Sequence, residues 1–408
     1  MDCDFEMIAK SADPGEYDEV REIVKAAFEH PDLELALVKT ITNDDPNFHK
    51  GDLRIVRDNG KAVSMMLIIR KTLRIGEALV NGAIVAPVAT HPSYGRRGYC
   101  SAVMRDALEY MKTEGFDITI LWGHPWLYTH YGYSPSMLSA KLVIDAKSPK
   151  QSGEYGRTIR PLRETDLDQV ARIYNSNTRR TSCTEVRSPN LGEWIVKDTI
   201  KFEVITNQAG IISGYLVFGT DWGRPSVLEV GTIDDETSET ILNRILEEIA
   251  KKGLKEIMCP VSPDHPFARY AFWHDAEIRV NRGKGAGMAR VLNLASILEK
   301  MSEEFERRLH YSELHYIDHS LTIATEESSA VIDIRGDNVT LETGLESDYR
   351  IDLPLDCLNP LITGYRGIRE VLNDPRVKVK GGEEATRILE VLFPTGHPRG
   401  GVFPLVWE

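Results

Sequence analysis

The most informative segment for chemistry runs from Gly95 to Ser101, where a glycine-containing turn precedes a predicted helix. The first backbone N–H groups of a helix have no partner within it and point the same way, and together with the helix dipole they favour a pyrophosphate. Arg96 and Arg97 add charged donors, and Gly98 lets the backbone approach a ligand closely. We predict a phosphate site here; the alternative is an ordinary surface turn with two solvated arginines.

Other reactive side chains give weaker signals. Cys100 stands at the helix start, where a thiol pKa is lowered, but no His or Asp partner is evident. We therefore favour a small helix-start residue over a nucleophile. His310, His315 and His319 include a pair four residues apart, yet no carboxylate or cysteine is placed to complete a metal site, so no metal is expected.

Composition limits the class of partner. The 408 residues carry a formal net charge of −13, which repels nucleic acid and anionic membranes and attracts small cations such as amines. Five widely spaced cysteines without a CxxC pair indicate neither a disulfide framework nor a zinc site. Because the chain also lacks an apolar signal segment and any run of 18 apolar residues, we expect a cytoplasmic protein without membrane or nucleic-acid partners.

The apolar pattern predicts the elements that position the turn. A helix is expected over residues 17–28, and Asn59-Gly60 between two apolar runs predicts a β-hairpin. A third strand, over residues 79–89, leads into the glycine turn. The helix after the turn ends near Gly115, and a short buried strand follows at residues 118–122. The first stretch is thus predicted as helix, antiparallel meander, glycine turn, helix and strand.

The rest of the chain is predicted to form two further parts. Periodicity is lost between residues 147 and 156, which predicts a linker. The same order of elements then restarts without the glycine–arginine turn, so we interpret this part as a second, degenerate copy. A third α+β part follows, beginning with a helix predicted over residues 294–309.

The strand Val88-Ala89-Thr90-His91-Pro92 and the turn Tyr94-Gly95-Arg96-Arg97-Gly98-Tyr99 together resemble the acetyl-CoA segment of GCN5-related N-acetyltransferases (GNATs). In that family the strand splays from its neighbour and binds the pantetheine, while the loop binds the pyrophosphate. The resemblance implies acetyl-CoA as co-substrate, with Val88, Ala89 and Thr90 on the pantetheine and Arg96, Arg97, Gly98, Tyr99, Cys100 and Ser101 on the pyrophosphate. The family pattern Q/R-x-x-G-x-G/A is altered at both ends, by Gly95 and Cys100, and the missing first side chain weakens one contact.

A second segment, Leu127-Tyr128-Thr129-His130-Tyr131-Gly132-Tyr133, resembles the I-Y-x-x-F-G-Y segment of Eis (enhanced intracellular survival) family acetyltransferases. The resemblance implies an α+β fold with two tandem GNAT-like domains, the second degenerate, and a sterol-carrier-protein-like α+β domain. We place these domains at residues 1–150, 151–287 and 288–408. The family also implies a homo-oligomer, a hexamer.

The Eis resemblance also implies an acid and a base. Tyr128 would protonate the departing CoA thiolate, and the terminal carboxylate of Glu408 would deprotonate the amine, although its side chain offers a second carboxylate. His124 and His130 are alternative bases. Tyr128 as a packing residue, and the last residues as an ordinary terminal strand, remain the structural alternatives.

We therefore predict an acetyl-CoA-dependent N-acetyltransferase that acts on primary amines by direct attack on the thioester. Aminoglycosides, polyamines and protein lysines are the candidate acceptors, and residues 28–37 are expected to form part of the substrate wall. The alternative from another class is a non-catalytic protein that binds acyl-CoA or an apolar ligand.

Overall fold

The computed structural model describes residues 9–148, 156–189, 200–221, 223–281, 287–342 and 346–400. The chain divides into two compact units. Unit 1 consists of Met1–Ser136 and Gly287–Gly396, and unit 2 of Met137–Ala286 and His397–Glu408. The fold is mixed α+β; the domain boundaries at residues 150 and 287 and the tandem arrangement remain predictions. None of the described helices is long and apolar enough to span a bilayer.

The first stretch of the chain has the predicted order of elements, with further elements before, within and after it that were not predicted. Its elements are β1 (Ala9–Ser11), α1 (Tyr17–Ala27), α2 (Asp32–Asp44), β2 (Leu53–Asp58), β3 (Lys61–Ile75), β4 (Ala78–Thr90), α3 (Tyr99–Thr113), β5 (Ile118–Leu121), α4 (Pro125–Tyr128), β6 (Ser134–Pro135) and β7 (Ser139–Asp145).

The hairpin predicted at Asn59-Gly60 is confirmed. Asp58 pairs with Lys61, and both turn residues have positive φ, 49° at Asn59 and 80° at Gly60. This two-residue turn matches the twist of the flanking strands, which is why Asn-Gly is favoured there. The hairpin starts the antiparallel meander β2-β3-β4.

Helix α3 lies on the sheet through one apolar face. Val103, Met104, Ala107, Leu108 and Met111 recur at helical spacing and are buried. They pack in one cluster with buried residues of β2, β3 and β4. Because β4 and α3 are joined by a short turn and share this core, the N-terminus of α3 is fixed beside the C-terminal end of β4.

The second stretch forms a four-stranded sheet in the order β11-β10-β9-β8, and its strands β12 and β13 pair with β7 in a three-stranded sheet in the order β12-β7-β13. Its elements are β8 (Thr158–Pro161), α5 (Leu167–Asn177), β9 (Lys201–Thr206), β10 (Ile212–Asp221), β11 (Arg224–Thr232), α6 (Asp235–Lys252), β12 (Glu256–Cys259), α7 (Pro266–Phe272) and β13 (Glu277–Asn281). Most of the linker predicted at residues 147–156 lies outside the described residues.

The third stretch contains a five-stranded sheet in the order β17-β16-β15-β18-β19. Its elements are β14 (Met288–Val291), α8 (Leu294–Lys300), α9 (Ser302–His310), β15 (Ile317–Ala324), β16 (Ser329–Gly336), β17 (Asn338–Glu342), β18 (Tyr349–Asp352), α10 (Leu355–Thr363), α11 (Ile368–Val371), β19 (Lys378–Lys380) and α12 (Gly382–Leu392). The helix predicted over residues 294–309 is present but is divided into α8 and α9 at Met301, whose ψ is −1°.

Strand β14 joins the third stretch to the first. The seven-stranded sheet of unit 1 has the order β1-β2-β3-β4-β5-β14-β6. β14 is antiparallel to β5, with Met288 opposite Leu121 and Val291 opposite Ile118. Residues 287–396 therefore complete the sheet that carries β4 and β5.

Candidate active site

Strands β4 and β5 separate at the centre of the sheet. β4 pairs with β3 along nearly its whole length, but it pairs with β5 only from Gly82 to Ile84, opposite Ile118 to Ile120. Beyond Ile84 the edge of β4 that faces β5 carries no ladder among the described residues. Backbone N–H and C=O groups on such an edge are available to an extended ligand.

Hydrogen-bonded and non-hydrogen-bonded pairs alternate along the β3–β4 ladder. This alternation determines which backbone groups of β4 face the gap between β4 and β5. His91 N–H donates to the Val63 carbonyl, so that pair is hydrogen-bonded. Since hydrogen-bonded and non-hydrogen-bonded pairs alternate, Ala89 bonds to β3, whereas Val88 and Thr90 direct their backbone groups toward the opening. Of the three residues predicted to contact the pantetheine, Val88 and Thr90 therefore direct their backbone groups into the gap beside β5, and Ala89 lies between them.

The N-terminus of α3 follows directly from this strand. Gly98 caps the helix in the left-handed region, with φ of 87°, and no side chain caps the end. The first intrahelical hydrogen bond runs from Ala102 N–H to the Gly98 carbonyl. The N–H groups of residues 99–101 therefore have no acceptor within the helix. The first turn contains no acidic residue. The end thus offers N–H donors that helix α3 itself does not use, together with a favourable dipole for an anion.

The two arginines of the turn are both exposed. Arg96 has φ of 62°, a conformation that costs a non-glycine residue about 1–2 kcal/mol. The Arg97 guanidinium lies 5.6 Å from the centroid of the Tyr94 ring, which packs edge-on against Tyr99. A Cβ at Gly95 would lie 3.3 Å from the Pro92 carbonyl, which is a tight contact.

Tyr128 ends α4 and points into the core of unit 1. Burial raises the pKa of its hydroxyl to about 12, and the nearby Cys100 and Tyr131 side chains add to the shift. Its ring packs edge-on against Tyr133, with centroids 6.1 Å apart. Any Cβ at Gly123 would overlap the Tyr128 ring, so glycine is required there. Gly123 was not identified from the sequence, because its role depends on this contact.

Two hydrogen bonds involve side chains of the predicted co-substrate residues, and one of them reaches the residues that follow Tyr128. Tyr131 donates to Ser101 Oγ at 2.9 Å, which joins the segment to the start of α3. Thr90 Oγ1 lies 2.8 Å from Ser64 Oγ and also contacts the Cys100 thiol. Burial raises the pKa of Cys100, which favours the small helix-start role over that of a nucleophile.

The remaining predicted residues are two exposed histidines beside Tyr128, acidic residues of α2, and a terminal residue outside the described part of the chain. His124 stacks on Trp126 with centroids 5.8 Å apart, and both side chains, like that of His130, are exposed. Asp32 and Glu34, on the proposed substrate wall, lie in the first turn of α2. Glu408 is outside the described residues. Within the described part of the chain, no three His, Cys, Asp or Glu side chains group as a metal site requires.

Comparisons with known proteins identify the domain. Residues 9–136 match the family model described as Acetyltransferase (GNAT) domain. Among curated proteins, none matches the chain by sequence.

Solved structures resemble nearly the whole chain. The GCN5-related N-acetyltransferase from Kribbella flavida is 16% identical with a TM-score of 0.76, and the alignment covers 97% of both chains. That from Anabaena variabilis is 15% identical with a TM-score of 0.76, covering 97% of this chain and 99% of the other. Eis1 from Mycobacterium abscessus is 16% identical with a TM-score of 0.67, covering 97% and 100%. The chain therefore carries a GNAT acetyltransferase domain at residues 9–136, within a fold shared over nearly its full length with GCN5-related N-acetyltransferases.

Proposed function

We propose that the protein transfers the acetyl group of acetyl-CoA to a primary amine by direct attack on the thioester. The observation that carries the proposal is the open edge of β4, which leads directly into the uncapped N-terminus of α3. This arrangement offers backbone groups for an extended pantetheine and then donors for a pyrophosphate. The proposed contacts are Val88, Ala89 and Thr90 for the pantetheine and Arg96, Arg97, Gly98, Tyr99, Cys100 and Ser101 for the pyrophosphate.

A helix in unit 2 provides a contrast that supports this placement. Helix α6 also follows a strand, but its N-cap Asp234 accepts a hydrogen bond from Thr237 N–H at 2.7 Å. Asp235 and Glu236 add two carboxylates to its first turn. These acids satisfy the helix end and repel an anion, whereas α3 has neither feature. This difference between the N-termini of α3 and α6 supports placing acetyl-CoA in the first GNAT-like copy. It also supports regarding the second copy as degenerate.

Tyr128 is proposed as the general acid. A hydroxyl with a pKa near 12 stays protonated at neutral pH, so it can donate to the sulfur as the carbon–sulfur bond breaks. The amine nitrogen bonds to the acetyl carbon, the CoA thiolate leaves, and the Tyr128 proton passes to that sulfur. The amine loses its proton to a base, for which Glu408 is proposed. No covalent enzyme intermediate is needed, and proximity together with backbone donors supplies most of the rate.

The acceptor is proposed to be a small cationic amine, aminoglycoside- or polyamine-like, or a protein lysine. The net charge of −13 attracts such molecules. A homo-oligomer, hexameric as the Eis resemblance implies, and a sterol-carrier-like third domain belong to the same proposal.

The test is CoA release from acetyl-CoA across a panel of amines, aminoglycosides and a lysine peptide, with acetyl-CoA affinity measured separately. We expect Tyr128→Phe to lower kcat by about 10²–10³-fold while acetyl-CoA binds normally. Tyr311→Phe, at a tyrosine 80% exposed in unit 1, is the matched control. A double variant with Arg96→Gln and Arg97→Gln should instead bind acetyl-CoA more weakly, with kcat little changed. Binding without turnover for every amine would favour the ligand-binding alternative, and no acetyl-CoA binding would refute the proposal.

A further inference from the structure

Asn359, a buried residue of α10, holds the segment that follows Tyr128. Its Nδ2 donates to the Gly132 carbonyl at 2.9 Å and to Ser134 Oγ at 3.1 Å. Its Oδ1 accepts the Val291 N–H at 2.9 Å. One fully buried amide therefore bridges α10, β14 and the acid segment, here defined as residues 124–136.

Arg290 of β14 holds the same segment from a second direction. Its side chain is buried, and Nη1 donates to the Tyr131 carbonyl while Nη2 donates to Glu327 at 2.7 Å. Glu327 also accepts from Lys112 of α3, at 2.8 Å. The guanidinium is thus held at both ends, and its position is coupled to the helix that begins at the predicted pyrophosphate site.

A third contact extends the attachment. Thr363 Oγ1 donates to the Ser136 carbonyl at 2.9 Å. The acid segment has little structure of its own, because α4 is a single turn and so short a helix is not stable alone. Within the segment, the Gly132 N–H bonds to Thr129 at 3.1 Å, and the Tyr133 N–H bonds to Tyr128 at 3.3 Å. Side chains from residues 287–396 therefore add three hydrogen bonds to those that the segment makes itself, to the carbonyls of Tyr131, Gly132 and Ser136.

We propose that Asn359 and Arg290 are positioning residues for Tyr128, so that the C-terminal stretch completes the acid site of the acetyltransferase domain. The inference rests on the proposed function of Tyr128. Removing the Asn359 amide leaves the half-buried Gly132 carbonyl without its donor and frees the segment to shift. A displacement of about 1 Å at a catalytic group can lower a rate about 10²-fold.

The test compares Asn359→Ala with Ser296→Ala. Ser296 Oγ also joins the C-terminal stretch to the first, through a 2.6 Å bond to Asp117, but at the start of β5 and away from Tyr128. We expect Asn359→Ala to lower kcat about 10–100-fold with acetyl-CoA affinity changed less than threefold. Ser296→Ala should leave kcat within twofold. Asn359→Leu, which has a similar volume and removes both the donor and the acceptor without adding a charge, provides a second variant if the alanine protein folds poorly.

A double-mutant cycle separates positioning from general stability. In a Tyr128→Phe background, adding Asn359→Ala should lower kcat by less than a further threefold. The reason is that the Tyr128 hydroxyl, which Asn359 positions, is already absent. Full additivity would overturn the inference. If Tyr128→Phe itself keeps its activity, the acid assignment fails instead.

Hydrogen exchange gives a readout independent of turnover. Amides of residues 128–136 should exchange at least tenfold faster in Asn359→Ala than in Ser296→Ala, with acetyl-CoA present. Unchanged exchange there would overturn the inference even if no acceptor is found.

Discussion

Substitution of Gly132 by alanine tests the link between the acid segment and Arg290 most directly. Gly132 has φ of 76°, where a side chain costs about 1–2 kcal/mol. An alanine Cβ would also lie 2.8 Å from Arg290 Nη1 and 3.0 Å from Leu355 Cδ2. The guanidinium would have to move from the Tyr131 carbonyl, and losing a hydrogen bond to a charged group costs about 1.5–3 kcal/mol. We expect a total loss of about 3–4 kcal/mol.

Gly115 provides a matched control at the end of α3. Its φ is 77°, nearly that of Gly132, and no described atom lies within 4 Å of its Cβ position. Gly115→Ala should therefore cost about 1–2 kcal/mol from the backbone alone. The difference between the two variants, about 2 kcal/mol, isolates the contact with Arg290.

The assay is urea unfolding followed by circular dichroism, together with the melting temperature and kcat. For a unit of this size, 2 kcal/mol corresponds to a difference of about 4–8 °C in melting temperature. Gly132→Ala should also lower kcat, whereas Gly115→Ala should not. Equal losses of stability in the two variants would refute the reasoning, because they would show that Arg290 adjusts to the methyl group without cost.

Three buried groups lead to further predictions. Because burial raises the pKa of Tyr128 to about 12, its ionisation should cause no fall in kcat up to about pH 10; a fall centred near pH 10 would contradict this. The same shift means that its contribution to stability is present below pH 10 and lost between about pH 10 and 12, as a urea titration series can show. Cys100, whose pKa burial raises, should react with iodoacetamide at pH 8 more slowly than free cysteine, and acetyl-CoA should slow it further; a rate equal to that of free cysteine would be inconsistent. Asp117→Ala should destabilise unit 1 by about 3–5 kcal/mol, because the buried carboxylate holds Asn81, Ser296 and Lys300; a loss below about 1 kcal/mol would disprove its role.

The local features of the site could be predicted because adjacent residues encode them. Asn59-Gly60 specified the hairpin through its positive φ values, and Gly98 began α3 as expected. The periodic apolar face of α3 likewise placed this helix on the sheet.

Features that depend on distant residues were not predicted. β14 pairs with β5 across roughly 170 residues, and no local pattern carries that information. The contacts of Asn359 and Arg290 with the acid segment could not be predicted for the same reason. Helix α2 was missed because its β-branched residues, such as Val38 and Ile41, favour strands, whereas packing decides the outcome.

The insertion of β14 beside β5 has a consequence for synthesis on the ribosome. β5 is translated roughly 170 residues before β14, which at about 5–20 residues per second is a delay of about 10–30 s. During that interval β5 has no partner on the side that β14 will occupy, and such strand edges attract other chains. We therefore expect the nascent acetyltransferase domain to depend on chaperones until β14 emerges, and an expressed fragment ending near residue 150 to aggregate.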